Sequence, residues 1–274
     1  MSKKLFKTLI SNLIAWIISI ISLVPLLLIL FNSLKTSKKA AEMNLRLPDF
    51  PLQLENFSVV IEKGKLVSSF LNSCIYTIGS VLVCCILSAL AAYVLSRNRT
   101  KLTKLIYLFI VLGITMPINY VALMKVMLFL HLQNTQLGII LLYSAMQIPF
   151  SVFLIYSFIS KIPVDLDEAG IIDGCSSIRL FTTIVFPLLK PAIATVVVLC
   201  FLNNWNEFIS PLYFLSSSTK WPMTLSVYNF FGMFFKDWNL VCADIVLTSI
   251  PVILIYLLGQ KYIVSGMTTG AVKG

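Results

Sequence analysis

Charged side chains are scarce in this sequence. Of its 274 residues, 21 are Lys or Arg and 11 are Asp or Glu, which together make up 12% of the chain. A soluble domain carries about 25% charged residues, so these are too few to cover one large globular surface. Hydrophobic residues account for 58% of the chain, and disorder requires low hydrophobicity. The composition therefore excludes an ordinary soluble enzyme and a disordered chain, and predicts an integral membrane protein.

Motifs for covalent, metal or nucleic-acid chemistry are also missing. The six cysteines show no CxxC spacing, His131 is the one histidine, and no GxxxxGK[ST] loop for nucleotide phosphates occurs. The net charge of +10 comes from basic residues that stand between apolar blocks, whereas a nucleic-acid-binding protein gathers them on a polar surface. We expect no catalytic residue, no metal site, no cofactor and no nucleic-acid partner.

Long stretches without charge predict the membrane spans. A bilayer core about 30 Å thick is crossed by roughly 20 apolar residues of helix. A membrane β-barrel would alternate apolar and polar residues instead of forming continuous apolar runs. We therefore predict an all-α integral membrane protein with six spans. They lie at 9–33, 71–95, 105–124, 138–159, 190–214 and 243–263.

The distribution of lysine and arginine predicts the orientation. Four basic residues and no acid separate the second and third spans, and three lysines precede the first span. Short loops rich in lysine and arginine remain on the cytoplasmic side. Both termini are therefore predicted to be cytoplasmic.

The segment between the fourth and fifth spans has the features of a docking helix. Pro163 suits the first turn of a helix, and three acids follow near the positive helix end, where they are favourable. Gly170 and Gly174 are four residues apart, so a helix would carry both on one face, which another protein approaches closely. The alternative is a helix that lies on lipid, but such helices are usually basic, and acids are unfavourable beside an anionic membrane surface.

This segment resembles the EAA loop of ATP-binding-cassette (ABC) importer permeases. The loop reads Glu-Ala-Ala, three residues, Gly, nine residues and Ile-x-Leu-Pro. Here Glu168-Ala169-Gly170 is followed by Gly174 and by Ile184–Pro187 at unbroken spacing, with Gly170 and Phe186 as the two departures. The resemblance implies a loop that binds an ATPase. It assigns ATPase docking to Asp165, Glu168, Ala169, Gly170, Asp173, Gly174 and Pro187.

Other stretches resemble the carbohydrate permeases, in particular the smaller of the two permeases of a maltose-type importer. These stretches are Asn72-Ser73, Ala92-Tyr93 with Arg97, Asn203–Phe208 and Gly266–Gly274. The resemblance implies a plasma-membrane importer with a second, different permease, a dimer of ATP-hydrolysing subunits, an extracytoplasmic sugar-binding protein, a sugar substrate and surrounding lipid. It also implies that the tail threads in extended form between the ATPase subunits. The tail residues that it assigns to this contact are Gly266, Gly270, Lys273 and Gly274.

The expected organisation has three parts. An N-terminal span with an extracytoplasmic segment occupies 1–65, a type I ABC permease core occupies 66–264, and a cytoplasmic tail occupies 265–274. Two alternatives stay open: a permease for amino acids, peptides or phosphate, since these share the EAA loop, and a non-transporting membrane subunit coupled to an ATPase.

Four polar residues stand at the outer end of the fifth predicted span, and two interpretations of them stay open. A charge at the bilayer centre costs about 2.5–3.5 kcal/mol or more, so Glu207 is expected to face protein or water. The four residues either line the pore or outer gate, or form hydrogen bonds to a neighbouring span. They are Asn203, Asn204, Asn206 and Glu207.

Overall fold

The computed structural model describes residues 3–98, 100–230 and 237–271, and for residues 3–7 and 263–271 it describes the backbone alone. Within these ranges the chain forms helices and no strand, which confirms the predicted all-α fold. The helices are α1 (Lys3–Ser33), α2 (Ser37–Ala40), α3 (Glu55–Lys63), α4 (Leu66–Arg97), α5 (Lys101–Leu112), α6 (Tyr120–Phe129), α7 (Gln136–Ile159), α8 (Asp165–Ile172), α9 (Ser177–Leu180), α10 (Phe186–Leu188), α11 (Lys190–Trp205), α12 (Ile209–Phe214), α13 (Met223–Ser226) and α14 (Trp238–Ala271). A π-helical turn, Phe181–Val185, joins α9 to α10, and 3₁₀ turns lie at Ser218–Lys220 and Val227–Phe230.

Four helical stretches in the described residues are long and apolar enough to cross a membrane. They are Thr8–Ser33, Leu66–Arg97, Gln136–Ile159 and Trp238–Tyr262. A fifth is added if the bent pair Ser177–Leu188 and Lys190–Trp205 is taken as one span. The first, second, fourth and sixth predicted spans are therefore found as continuous helices, whereas the third and fifth are not.

The prediction of one continuous helix over the third span, 105–124, is wrong. Helix α5 ends at Leu112 and α6 begins at Tyr120. Pro117 has no backbone N–H and disfavours the helical conformation of the residue before it, so it favours a break in the helix at this point. Asn119 then starts α6 by accepting a hydrogen bond from the backbone N–H of Ala122 at 3.0 Å. The shortage of charge revealed the apolar character of this stretch but not its interruption.

The fifth predicted span, 190–214, extends too far. Helix α11 ends at Trp205, and the separate helix α12 begins only at Ile209. Before α11 the chain bends by 75°, between Ser177–Leu188 and Lys190–Trp205. Pro187 and Pro191 flank this bend and remove two backbone donors. The π-helical turn just before Pro187 is a local adjustment of the kind that membrane helices use to accommodate proline.

The described residues divide into two compact units. One contains the chain up to Val67 together with Ser226–Ile250, and the other contains Ser68–Leu225 and the chain from Pro251 onward. The core of the second unit lies where α4, α7 and the helices from α9 to α11 meet. Its fully buried members include Cys84, Ala89, Ala92, Val152, Ile155, Ile159, Val185, Leu189, Ala192 and Val196.

The start of α4 holds a loop of the same unit. The Asn72 amide donates to the carbonyls of Thr219 and Trp221 at 2.9 and 3.2 Å. The Ser73 hydroxyl accepts a hydrogen bond from the backbone N–H of Met223 at 2.9 Å. Asn72 and Ser73 thus pair with backbone groups of a loop that are not paired by regular secondary structure.

The first unit is organised around buried polar side chains. Lys35 is 4% exposed, and its ammonium group donates to the side-chain oxygens of Asn32 and Asn44 at 3.1 and 2.9 Å. The Asn56 amide donates to the carbonyls of Ser33 and Lys35 at 2.8 and 3.0 Å. Buried polar groups need such partners, because an unsatisfied one costs about 1–3 kcal/mol.

We expect Asn56→Ala to destabilise the protein by about 1–3 kcal/mol, since the carbonyls of Ser33 and Lys35 lose their buried donor. Ser58→Ala is the matched control. The Ser58 hydroxyl donates to the Glu55 carbonyl at the surface, and its loss should change stability by no more than about 0.5 kcal/mol. Thermal unfolding of the purified variants measures the difference, and equal midpoints for the two variants would contradict the role of Asn56.

Candidate functional site

Helix α8 forms where the sequence places an acidic first turn. It runs from Asp165 to Ile172, and Asp165, Asp167 and Glu168 all lie in its first turn. Each carboxylate gains about 0.3–1 kcal/mol from the backbone N–H groups and dipole at this end. Pro163 stands just before the helix, where its missing N–H is no loss. The predicted helix is therefore present.

Gly174 ends this helix through its backbone conformation. Its φ is +79°, a left-handed value that glycine adopts without steric cost. The N–H of Cys175 donates to the carbonyl of Gly170 at 2.9 Å, and the N–H of Gly174 donates to that of Ile171 at 3.0 Å. These two bonds form a Schellman motif. The prediction that Gly170 and Gly174 share a helical face is therefore wrong, because Gly174 lies beyond the last helical residue.

Gly170 faces the protein's own interior. A Cβ atom at this position would stand 2.4 Å from Leu180 Cδ1 and 2.9 Å from Ile184 Cδ1. The absent side chain therefore lets α8 approach the segment that contains α9 and the π-helical turn. The expectation that this glycine opens a face to another protein is wrong, because the same chain occupies that face.

Asp167 is the acid that α8 turns inward. Its Oδ2 accepts from Arg97 Nε at 2.6 Å, and its Oδ1 accepts from Arg97 Nη2 at 3.4 Å. Arg97 is the last residue of α4, so this pair joins a membrane-spanning helix to α8. The sequence contained both residues, but no spacing rule links positions that are 70 residues apart.

The three acids of the predicted docking set, to which Asp167 did not belong, are exposed. Asp165, Glu168 and Asp173 face outward, as does Ala169. Three isoleucines in the same part of the chain are also exposed: Ile171 by 64%, Ile172 by 85% and Ile178 by 78%. Pro187 is exposed as well, but it lies at the bend before α11 rather than on α8. The outward surface of α8 is thus acidic and apolar together.

The polar residues at the end of α11 have separate roles. Asn204 is buried, and its amide donates to the Ser80 hydroxyl of α4 at 2.7 Å. Glu207 Oε1 accepts from the backbone N–H of Ser210 at 2.8 Å and so caps the start of α12. Asn204 therefore makes the hydrogen bond to a neighbouring span that the structural interpretation describes, whereas the bond of Glu207 is local.

Asn203 and Asn206 are exposed, and the structure adds Gln147 of α7 to this group. The Asn203 amide donates to Gln147 Oε1 at 3.3 Å, and Asn206 donates to the Leu202 carbonyl. Together with Met146, Leu202, Asn204 and Glu207, these three residues line an open cavity of about 410 Å³. The sequence did not single out Gln147, because one glutamine in an apolar helix carries no pattern.

The tail residues are described in part. Helix α14 continues to Ala271, so Gly266 and Gly270 lie in a helix, whereas Lys273 and Gly274 lie outside the described residues. Extending an existing helix adds a hydrogen bond for each residue, which offsets the cost of about 1 kcal/mol for each glycine. The extended form that we expected concerns the assembled complex and stays a prediction.

Known proteins resemble this chain over nearly its whole length. A family model described as "Binding-protein-dependent transport system inner membrane component" matches residues 85–269. The probable starch degradation products transport system permease protein of Thermoanaerobacterium thermosulfurigenes is 32% identical over 259 residues, which cover 94% of each chain. The melibiose/raffinose/stachyose import permease protein of Bacillus subtilis is 33% identical over 266 residues, which cover 96% of each chain.

One solved structure supports the fold. It is the crystal structure of a bacterial ABC transporter involved in the import of the acidic polysaccharide alginate. One of its chains matches with a TM-score of 0.83 and 22% identity, over 96% of this chain and 98% of that one. The long helices, the EAA-type segment at α8 and these matches agree. The chain belongs to the family of binding-protein-dependent transport system inner membrane components, the permease subunits of ABC importers.

Proposed function

We propose that this chain is a permease subunit of an ATP-driven sugar importer and forms half of its translocation pore. The observation that carries the proposal is the similarity, over more than 90% of both chains, to permeases named for starch degradation products and for melibiose, raffinose and stachyose. Amino acids, peptides and phosphate are the alternative solutes, and a non-transporting subunit coupled to an ATPase is the alternative role.

The proposal includes the partners that such an importer needs. A second, different permease supplies the other half of the pore, and an extracytoplasmic sugar-binding protein delivers the substrate. ATP is hydrolysed by a dimer of separate ATPase subunits. Both termini and α8 lie on the cytoplasmic side of the plasma membrane in this proposal, which the basic residues between the second and third predicted spans support. The division into 1–65, 66–264 and 265–274 is retained as part of this proposal.

The outward surface of α8 receives the ATPase in this proposal. Its exposed acids, Asp165, Glu168 and Asp173, offer charge, and Ile171 and Ile172 offer apolar area. Closure of the ATPase dimer on ATP moves α8, and stiff packed helices carry the displacement into the spans. ATP drives the change only if it binds the closed state more tightly. Shifting the pore from 1:99 to 99:1 requires about 5.5 kcal/mol of differential binding.

The amide cluster at the end of α11 is proposed to line the sugar pathway. Asn203, Asn206 and Gln147 surround an open cavity, and amides both donate to and accept from hydroxyl groups. Asn204 and Glu207 support this cluster through their intrachain contacts with Ser80 and Ser210. The arrangement requires no covalent chemistry.

Uptake of labelled oligosaccharides tests the proposed substrate class. Cells that lack this gene should lose accumulation of at least one oligosaccharide, because half of the pore is missing. A plasmid copy of the gene should restore it. Labelled amino acids, peptides and phosphate serve as comparison substrates. Normal uptake of every sugar tested, or loss confined to one of the comparison substrates, would contradict the proposal.

Gly174→Leu should weaken assembly with the ATPase or abolish its response. A left-handed backbone costs a residue with a side chain about 1–2 kcal/mol, so the end of α8 must rearrange. Gly174→Asn is the matched control, since asparagine enters this conformation more readily. ATPase activity of the reconstituted complex with its binding protein measures the effect. Normal assembly and stimulation of the leucine variant would remove α8 from the docking site.

Deletion of residues 267–274 tests the tail. We expect membrane insertion to remain intact, because the deletion begins after the sixth predicted span, 243–263. ATPase coupling and sugar uptake should fall, because the contact with the ATPase dimer is lost. Insertion is measured in membrane fractions, and uptake in whole cells. Full transport by the shortened chain would exclude the tail from the mechanism.

A further inference from the structure

A forked ion pair joins the end of α4 to α8. Arg97 Nε lies 2.6 Å from Asp167 Oδ2, and Arg97 Nη2 lies 3.4 Å from Asp167 Oδ1. The third nitrogen, Nη1, donates to the carbonyl of Ile162 at 3.2 Å. One guanidinium therefore holds both the first turn of α8 and the chain that leads into it. A planar fork of this kind fixes orientation as well as distance.

The pair is enclosed by protein. The side chains of Arg97 and Asp167 are 12% and 9% exposed. The Tyr93 hydroxyl, one turn earlier in α4, also donates to Asp167 Oδ2 at 3.5 Å. Both carboxylate oxygens are thus engaged within the chain, so Asp167 is poorly placed to serve as a docking contact. Enclosure also strengthens the hydrogen bonds of the pair, because water does not compete for them.

Helix α4 connects this pair to the amide cluster at the other end of the unit. Ser80 of α4 accepts from Asn204 at 2.7 Å, and Asn204 is the neighbour of Asn203 in α11. Arg97 lies seventeen positions after Ser80 in the continuous helix α4, which corresponds to about 25 Å at 1.5 Å per residue. A stiff helix therefore has a polar attachment to α8 near one end and a polar attachment to the cavity-lining end of α11 further along.

We propose that Arg97 and Asp167 are positioning residues that make α4 follow the movement of α8. The inference rests on the proposed function in one respect, namely that α8 receives the ATPase. The ion pair transmits the displacement because it resists both separation and rotation of the two helices. The packing of Gly170 against Leu180 and Ile184 attaches α8 to the segment before α11. The ion pair supplies the corresponding attachment to α4.

The test separates transmission from stability by means of three variants. Arg97→Gln and Asp167→Asn each leave one buried charge without its partner, so both should lower the thermal midpoint of the complex. The double variant removes both charges and should recover the midpoint, because neutral groups of similar size often replace a buried pair at little cost. Lys101→Gln changes an exposed basic residue at the start of α5 and is the control for loss of a positive charge.

The measured quantity is the factor by which the binding protein stimulates ATPase activity in the reconstituted complex. We expect about a tenfold lower factor in both single variants and in the double variant, since all three lack the link. The Lys101 variant should remain within about twofold of the parent, as expected for a surface charge. A purely structural role predicts instead that the double variant regains stimulation together with its midpoint, and that result would overturn the proposal.

Arg97→Lys decides the matter if the double variant does not assemble. It keeps the charge but replaces the planar fork by one ammonium group, so stimulation should fall by about threefold or more. Stimulation equal to that of the parent would overturn the proposal. Stimulation of ATPase activity requires no sugar uptake, so a failure of the proposed sugar function appears only in the uptake assay of the parent.

Discussion

The structure depends on one constraint: backbone N–H and C=O groups within a membrane have no water to pair with. Each unsatisfied group costs several kcal/mol, so the chain forms helices and pairs the groups at their ends. Asn119 and Thr135 each accept from a backbone N–H group in the first turn of α6 and α7. Glu207 does the same for α12. These polar side chains thus accept hydrogen bonds from backbone N–H groups that have no partner within the helix that they start.

The same constraint explains why few of the polar residues in the long helices are available for a solute. Ser144 donates to the Ser80 carbonyl at 3.2 Å, and Thr195 donates to the Tyr262 carbonyl at 2.9 Å. Asn204 bonds to the Ser80 hydroxyl. These side chains bond helix to helix, and such interhelical bonds average about 0.6 kcal/mol in membranes. Asn203 and Gln147 differ because their amides meet each other at an open cavity.

The sequence allowed the helical class and most of the long helices to be predicted. A segment that crosses the bilayer core must be apolar over about 20 residues, so it appears in the sequence as a run without charge. The sequence did not locate the interruptions at 113–119 and 206–208, because both lie within apolar surroundings. Pro117 was a signal for the first interruption. The second has no proline of its own, since Pro211 lies inside α12, and it depends on the cap that Glu207 makes.

The EAA-type motif located the candidate site but not the direction of its side chains. Fixed spacing identified Glu168, Gly170 and Gly174 as a group, yet the structure gives them three different surroundings. Glu168 is exposed, Gly170 is covered by Leu180 and Ile184, and Gly174 reverses the backbone. Spacing along a chain cannot separate a glycine needed for close packing from one needed for a positive φ. The distinction requires the neighbouring atoms and the backbone angle.

Helix α8 is therefore attached to its own chain on one side and open on the other. Asp167 and Gly170, three residues apart, lie on the attached side, as the helical period requires. Asp165 and Glu168 lie on the open side and keep their charge at the surface. Arg97 neutralises the inward acid, so the negative charge on the open side comes from the outward acids alone. A helix of eight residues is too short to be stable by itself, and its attachment through Arg97, Leu180 and Ile184 is what holds the open side in place.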